Sequence, residues 1–206
     1  MSEVKKEKVQ MDPKYLFKLA GILMVICAIV AALLGVVNGV TADKIKAIQE
    51  QKLQASLEVV FPGAQFEEIP VTEELTALAG SADAESGLEA IYSASTGGYA
   101  VEVTPTGFGG AIDMIVGIDA EGNVTGISVI SHTETAGIGT KIAADKPNKN
   151  GVGVLSQFVG RGASEGNLFT VNSGSNQVDA ISGATVTTKA VTRGVNAASL
   201  VAGQLG

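Results

Sequence analysis

Asp179-Ala180-Ile181-Ser182-Gly183-Ala184-Thr185-Val186-Thr187 is the stretch around which this chain is organised. Its residues are small, Gly183 permits a tight turn, and hydroxyls stand on either side of Gly183-Ala184. Directly after it Val186, Ala190, Gly194, Ala197, Val201 and Leu205 recur at three- and four-residue steps, the pattern of a helix with a small-residue face. With Ser182 or Thr185 at the N-cap, the turn would aim backbone N–H groups and the positive end of the helix dipole outward, a seat for a phosphate. On spacing alone the plainer alternative is the stronger one, in which Ser182 or Thr185 does no more than cap the last helix.

Upstream, Phe169–Val171 and Val178–Ile181 read as closing strands. Before them, His132-Thr133-Glu134-Thr135-Ala136-Gly137-Ile138-Gly139 has the glycines of a loop that lets a ligand approach backbone. His132 and Glu134, two apart on an extended strand, would share a face, an arrangement that suits a metal or an acid–base pair. With no second His and no nearby Cys, a surface loop is the plainer reading. Further back, Leu88–Ala94 and Tyr99–Thr104 flank Thr96-Gly97-Gly98 as a hairpin, and Ala111–Ile118 and Val124–Ser131 flank the turn Asp119–Asn123. Between the two pairs lies a glycine-rich loop, Pro105–Gly110. Short turns between strands mean antiparallel pairing and argue against a doubly wound parallel sheet.

Phe66–Ser86 is acidic and reads as irregular, and the compact fold is expected to begin near Leu88. Thr41–Val60 reads as an amphipathic helix stopped by Phe61-Pro62-Gly63. Ahead of it, Leu19–Val40 is 22 residues without a charge, long enough as a helix to cross a hydrocarbon core of about 30 Å. It exceeds the apolar run of a cleavable signal peptide, and bulky Ile26 ahead of Cys27 spoils a lipoprotein box. The expected organisation is therefore a tail over 1–18, disordered as far as Pro13, a transmembrane helix over 19–40, a juxtamembrane helix and acidic connector over 41–87, and a domain over 88–206. The fold class is α+β, a single membrane helix followed by one domain with a mostly antiparallel sheet and flanking helices.

Of 14 basic and 21 acidic residues, five lysines and three carboxylates lie in residues 1–40, leaving 9 basic against 18 acidic in the remainder. That balance excludes nucleic-acid binding by counterion release. By the positive-inside rule the leading lysines keep the N-terminus in the cytoplasm and place the rest outside the cell membrane. One Cys and one His leave no intrachain disulfide and argue against a His/Cys metal site. Abundant glycine, 26 residues, with no Trp suits a turn-rich domain of roughly 165 residues, ample for independent folding.

Four pieces in order, the apolar anchor, PTGFGG running into AIDMIVGID, HTETAGIG, and DAISGATVT, resemble the FMN-carrying subunits of membrane redox complexes. Within that group the chain is similar to the G subunits of Rnf complexes, the ion-translocating ferredoxin:NAD oxidoreductases. The C subunits of sodium-translocating NADH:quinone reductase are the near relatives. The family pattern H-x-E-T-P-G-L-G has Ala136 here in place of proline and Ile138 in place of leucine. Leu155–Arg161 matches the family's short helix before the flavin motif.

What the resemblance implies is specific. FMN would be held as a phosphoester on Thr185, with Ser182, Gly183 and Ala184 forming the turn and Asp179 in the segment read by a separate flavin transferase. Glu134, Thr135, Gly137 and Gly139 would belong to the cofactor loop, and loops 107–110 and 134–139 would lie against the isoalloxazine ring. Thr187 is the second hydroxyl within reach as an acceptor. The partners would be other membrane subunits of the complex, and the chain would relay electrons without a substrate of its own. Three other readings stay open: a C-type quinone reductase subunit, a cofactor-free tethered scaffold, and a Ser182 or Thr185 hydrolase, which lacks a motif joining it to His132.

Overall fold

The computed structural model describes residues 13–82, 84, 86–137 and 139–206. The lysine-bearing tail as far as residue 12, and Ile138 of the HTETAGIG loop, lie outside them. The described residues fall into two compact units, one ending at residue 50 and the other beginning at residue 51.

In the first unit the chain is helical. Helix α1 runs unbroken over Pro13–Val60, with its side chains exposed through the apolar stretch to residue 40. It is long and apolar enough to cross a membrane. A soluble protein's core helix of that composition would be buried instead.

The second unit is built on one five-stranded antiparallel sheet in the order β1 (Phe66–Ile69), β2 (Gly87–Ala94), β3 (Tyr99–Thr104), β4 (Ile112–Ile118), β5 (Val124–His132). The two expected hairpins are present, with Ile91 opposite Val101 and Val116 opposite Ile127. Alternation in β3 sends Val101 and Val103 to one face and Ala100 and Glu102 to the other. The first face is covered by helix α4 (Thr185–Leu205), which buries Ala190, Gly194, Ala197 and Val201 as its periodicity predicts. Val186, assigned to the same stripe, is instead exposed at the helix start.

Three expectations upstream and downstream of the sheet are corrected. Residues 66–86, read as irregular, form strand β1 and helix α2 (Glu73–Ala82), and Leu75 and Ala79 are buried in the main core beside α4. High Glu and Ala content hid a short amphipathic helix, so the folded unit reaches back past Leu88 to residue 51. The strands at 169–171 and 178–181 shrink to β6 (Thr170–Val171) and β7 (Gln177–Val178), a parallel pair separate from the main sheet. The short helix before the flavin motif is one 3-10 turn, Leu155–Gln157, and helix α3 (Thr140–Ala143) precedes it.

The other sheet face receives the last turns of α1 and Phe61: Leu57, Val60 and Phe61 pack with Ala94, Ala100 and Ile115. Gly117 and Gly126 are paired across β4 and β5, and a side chain at either would press on Val60. That close approach lets the Thr125 hydroxyl donate to the Val60 carbonyl at 2.7 Å.

On this face Glu102 sits beside Asp113. Burial first, and then the neighbouring Asp113 carboxylate, push the Glu102 carboxyl up from its ordinary 4.5 to about 7. Burial raises Asp113 as well. The folded chain therefore holds more protons than the unfolded chain between about pH 4.5 and 7, so stability falls as pH rises through that window and levels off above it. Thermal unfolding of the detergent-solubilised chain is expected to show a higher Tm at pH 5 than at pH 8. Glu102→Gln flattens the profile, and an unchanged slope in that variant would refute the assignment.

Candidate functional site

The approach to α4 is held tightly. Val178 and Ile181 are buried, and between them the Asp179 carboxylate accepts from Asn150 Nδ2 at 2.9 Å and from Gln177 Nε2 at 2.8 Å. Its backbone is clamped too: Asp179 N–H donates to Gln157 Oε1 at 2.7 Å, and Gln157 Nε2 donates to the Asp179 carbonyl at 3.1 Å. Gly183 then turns the chain at φ +83°. Ala184 is buried at the N-cap position, with no side-chain capping bond. Neither Ser182 nor Thr185 caps the helix, which removes the plainer alternative for both hydroxyls. The first-turn N–H groups keep the open ends that an uncapped helix start leaves.

Three threonines follow with three different fates. Thr185 is the first residue of α4 and is exposed. Thr188 is buried and bonds back to the Ala184 carbonyl at 2.9 Å. Thr187, only 3% exposed, donates its hydroxyl to Glu134 Oε2 at 2.7 Å.

Glu134 ties the second loop to this helix. It is 8% exposed, and its Oε1 accepts from the Gly109 N–H at 3.1 Å while Oε2 serves Thr187. A side chain at Gly107 or Gly139 would collide with Glu134, so glycine at both places lets two loops close around one carboxylate. The Thr133 hydroxyl adds a bond to the Gly109 carbonyl at 3.0 Å. The loops at 107–110 and 133–139 and the start of α4 are thus one assembly, joined through Glu134.

That assembly encloses a cavity of about 310 Å³, lined by Phe108, Glu134, Thr135, Gly139 and residues 183–187. The volume lies at the lower end of the range for small-molecule pockets. Its polar atoms are few, and Phe108, 72% exposed, stands on its rim with Val186. A second cavity of about 430 Å³ shares Thr185 and is polar, lined by Lys149, Asn150, Gln177, Asp179 and Ser182 among others. A flat aromatic group held at Thr185 would find an aromatic side chain, small aliphatic groups and glycine backbone on one side, so the residues present suit a flavin ring.

Two family models match the sequence: the FMN-binding domain over residues 107–199 and the RnfG N-terminal region over residues 11–60. The chain is 39% identical to the G subunit of the Na(+)-translocating ferredoxin:NAD(+) oxidoreductase complex of Acetobacterium woodii, covering 93% of each. It is 33% identical to the G subunit of the ion-translocating oxidoreductase complex of Methanosarcina acetivorans, over 91% of this chain and 94% of that one. The corresponding G subunit of Cereibacter sphaeroides is also 33% identical, over 84% and 78%. The chain belongs to the family of Rnf G subunits.

In this Rnf G-subunit family member, the FMN-binding domain match spans every site residue expected from the sequence. Glu134, Thr135, Gly139, Gly183, Ala184, Thr185 and Thr187 come together around the first cavity. Asp179 and Ser182 line the second instead. Gly137, at φ +79°, lines neither and serves the turn, its N–H donating to the Thr140 hydroxyl at 2.9 Å. His132 does share a small space with Glu134, but it lines neither cavity that holds Thr185. The sequence points to the loop 107–110 and to the 179–187 stretch as wholes, without distinguishing Phe108 or Val186 within them, and it does not single out Lys149 at all. A lone Phe between glycines is the available signal for Phe108; Lys149 is an ordinary residue whose place only the fold reveals.

Proposed function

We propose that this chain is the electron-relay subunit of a membrane-bound ion-translocating ferredoxin:NAD oxidoreductase complex, with FMN esterified through its phosphate to Thr185. The observation that carries it is the contrast between hydroxyls. Thr185 is exposed at an uncapped helix start and opens onto the apolar cavity, whereas Thr187 is buried and committed to Glu134. Near-full-length similarity to Rnf G subunits favours the Rnf reading over a quinone reductase C subunit. The FMN-binding domain match argues against a cofactor-free scaffold. A hydrolase is disfavoured because His132 does not line a cavity with Thr185 or Ser182.

Attachment is a group transfer from FAD carried out by a separate flavin transferase with its own magnesium. The Thr185 Oγ–P bond forms to the phosphorus of the FMN half, the pyrophosphate P–O–P bond breaks, and AMP leaves. The hydroxyl proton passes to a base on the transferase. Thr185 is its substrate and takes no further part in turnover. Bound at this site, FMN supplies one- and two-electron redox chemistry. Glu134 holds both loops against α4, and Phe108 and Val186 would offer apolar contact to the ring, from which electrons would pass to a redox centre in a neighbouring subunit. With the N-terminus in the cytoplasm and α1 across the cell membrane, the flavin domain lies on the outer side, where a covalent tether prevents loss by dilution.

Mass spectrometry of the native membrane complex tests this directly. The peptide spanning residues 162–189 is expected to carry the mass of FMN less one water, located on Thr185. The unmodified mass in material from the natural host would sink the redox assignment.

A further inference from the structure

Among the described residues, Thr185 is the one common to two cavities of opposite character. On the apolar side the ionisable lining residue is Glu134, a carboxylate. On the polar side they are Lys149 and Asp179. Both Asp179 oxygens already accept hydrogen bonds, from Asn150 and Gln177, which fixes that carboxylate in place, and Lys149 is the cationic residue lining the same cavity. The Ser182 hydroxyl lines the same space.

A phosphodiester carries one negative charge and needs donors. Turned toward the apolar cavity it would meet the Glu134 carboxylate with no cation beside it; turned the other way, the Asp179 carboxylate is accompanied by Lys149 and the Ser182 hydroxyl, with the uncapped first turn of α4 next to them. We propose that Lys149 is the counter-cation of the phosphodiester on Thr185, so that the polar cavity takes the phosphate and the apolar cavity takes the ring. This rests on the reading that Thr185 carries FMN. Lys149 is a positioning residue: it sets which way the tether leaves the helix, and hence which cavity the ring enters. Asn150, next in the chain, is bonded to Asp179 at 2.9 Å, which ties the loop at 146–151 to the segment ahead of Thr185.

The test uses the full chain, co-expressed with its flavin transferase and purified in detergent, beside the Thr185→Ala variant. Both are treated briefly with a lysine-acetylating ester, and modification is read peptide by peptide. Lys149 is expected to react several-fold more slowly in the flavin-loaded chain than in Thr185→Ala, while Lys141 and Lys189 react alike in both. In parallel, Lys149→Gln lowers flavin occupancy at Thr185 when transferase is limiting, and Lys149→Arg restores it. Equal reactivity of Lys149 in loaded and unloaded chains overturns the proposal, whatever the occupancy of the variants. Absence of FMN from Thr185 in the loaded sample overturns the parent reading together with this one, so the two failures are distinguishable.

Discussion

Thr185→Ala is expected to abolish the flavin fluorescence that stays with the chain on a denaturing gel, with no residual covalent signal. The loss is complete because, among the described residues, no other hydroxyl combines exposure with a place between the two cavities: Thr187 and Thr188 are buried and hydrogen-bonded. Stability should hardly move, within about 0.5 kcal/mol, since Thr185 is exposed and its side chain caps nothing. Thr187→Ala is expected to behave in the opposite way. It keeps the covalent flavin but loses about 1–3 kcal/mol, because Glu134 Oε2 forfeits its partner in a buried site. In-gel fluorescence and thermal unfolding of the two variants together separate acceptor from support. Fluorescence lost in Thr187→Ala and kept in Thr185→Ala would reverse the assignment.

Glu134→Ala should be the most destabilising single change at the site. Two hydrogen bonds to a buried carboxylate disappear, leaving the Thr187 hydroxyl and the Gly109 N–H without that partner and a void among three segments. Bonds to charged groups contribute roughly 1.5–3 kcal/mol each, so a loss of about 3 kcal/mol or more is expected. Glu134→Gln keeps the shape and one acceptor oxygen. Thr187 can rotate its hydroxyl to accept, whereas the Gly109 N–H can only donate, so the amide satisfies both partners and costs about 1 kcal/mol. Hydrogen exchange at Gly109 is the second readout: protection falls in the alanine variant and survives in the glutamine variant. Equal stability of all three chains would show that Glu134 does not join the loops to α4.

Much of the fold could be read along the chain because its signals are local. The hairpins around Thr96–Gly98 and Asp119–Asn123 follow from alternation and turn residues, and both pair as expected. Helix α4 follows from its periodicity, and α1 from its uninterrupted apolar run. Residues 66–86 escaped because α2 is short and acidic, and its Leu75 and Ala79 become core positions only once α4 lies across them. Over 169–181 the apolar residues imitate longer strands for a related reason: they are buried in the core shared with α4 rather than by a sheet.

From the linear order of residues came the anchor, the antiparallel sheet, the terminal helix and the cluster of hydroxyls at its start, since each depends on neighbours within a few positions. Folding in space settled which of those hydroxyls is free. Thr185 and Thr187 are two residues apart and chemically alike, and they differ because Glu134, 53 positions from Thr187, reaches one and not the other. The division into an apolar and a polar cavity is likewise tertiary: Phe108, Glu134 and Lys149 come from three separate loops and meet at Thr185 only through the packing of α4 against the sheet.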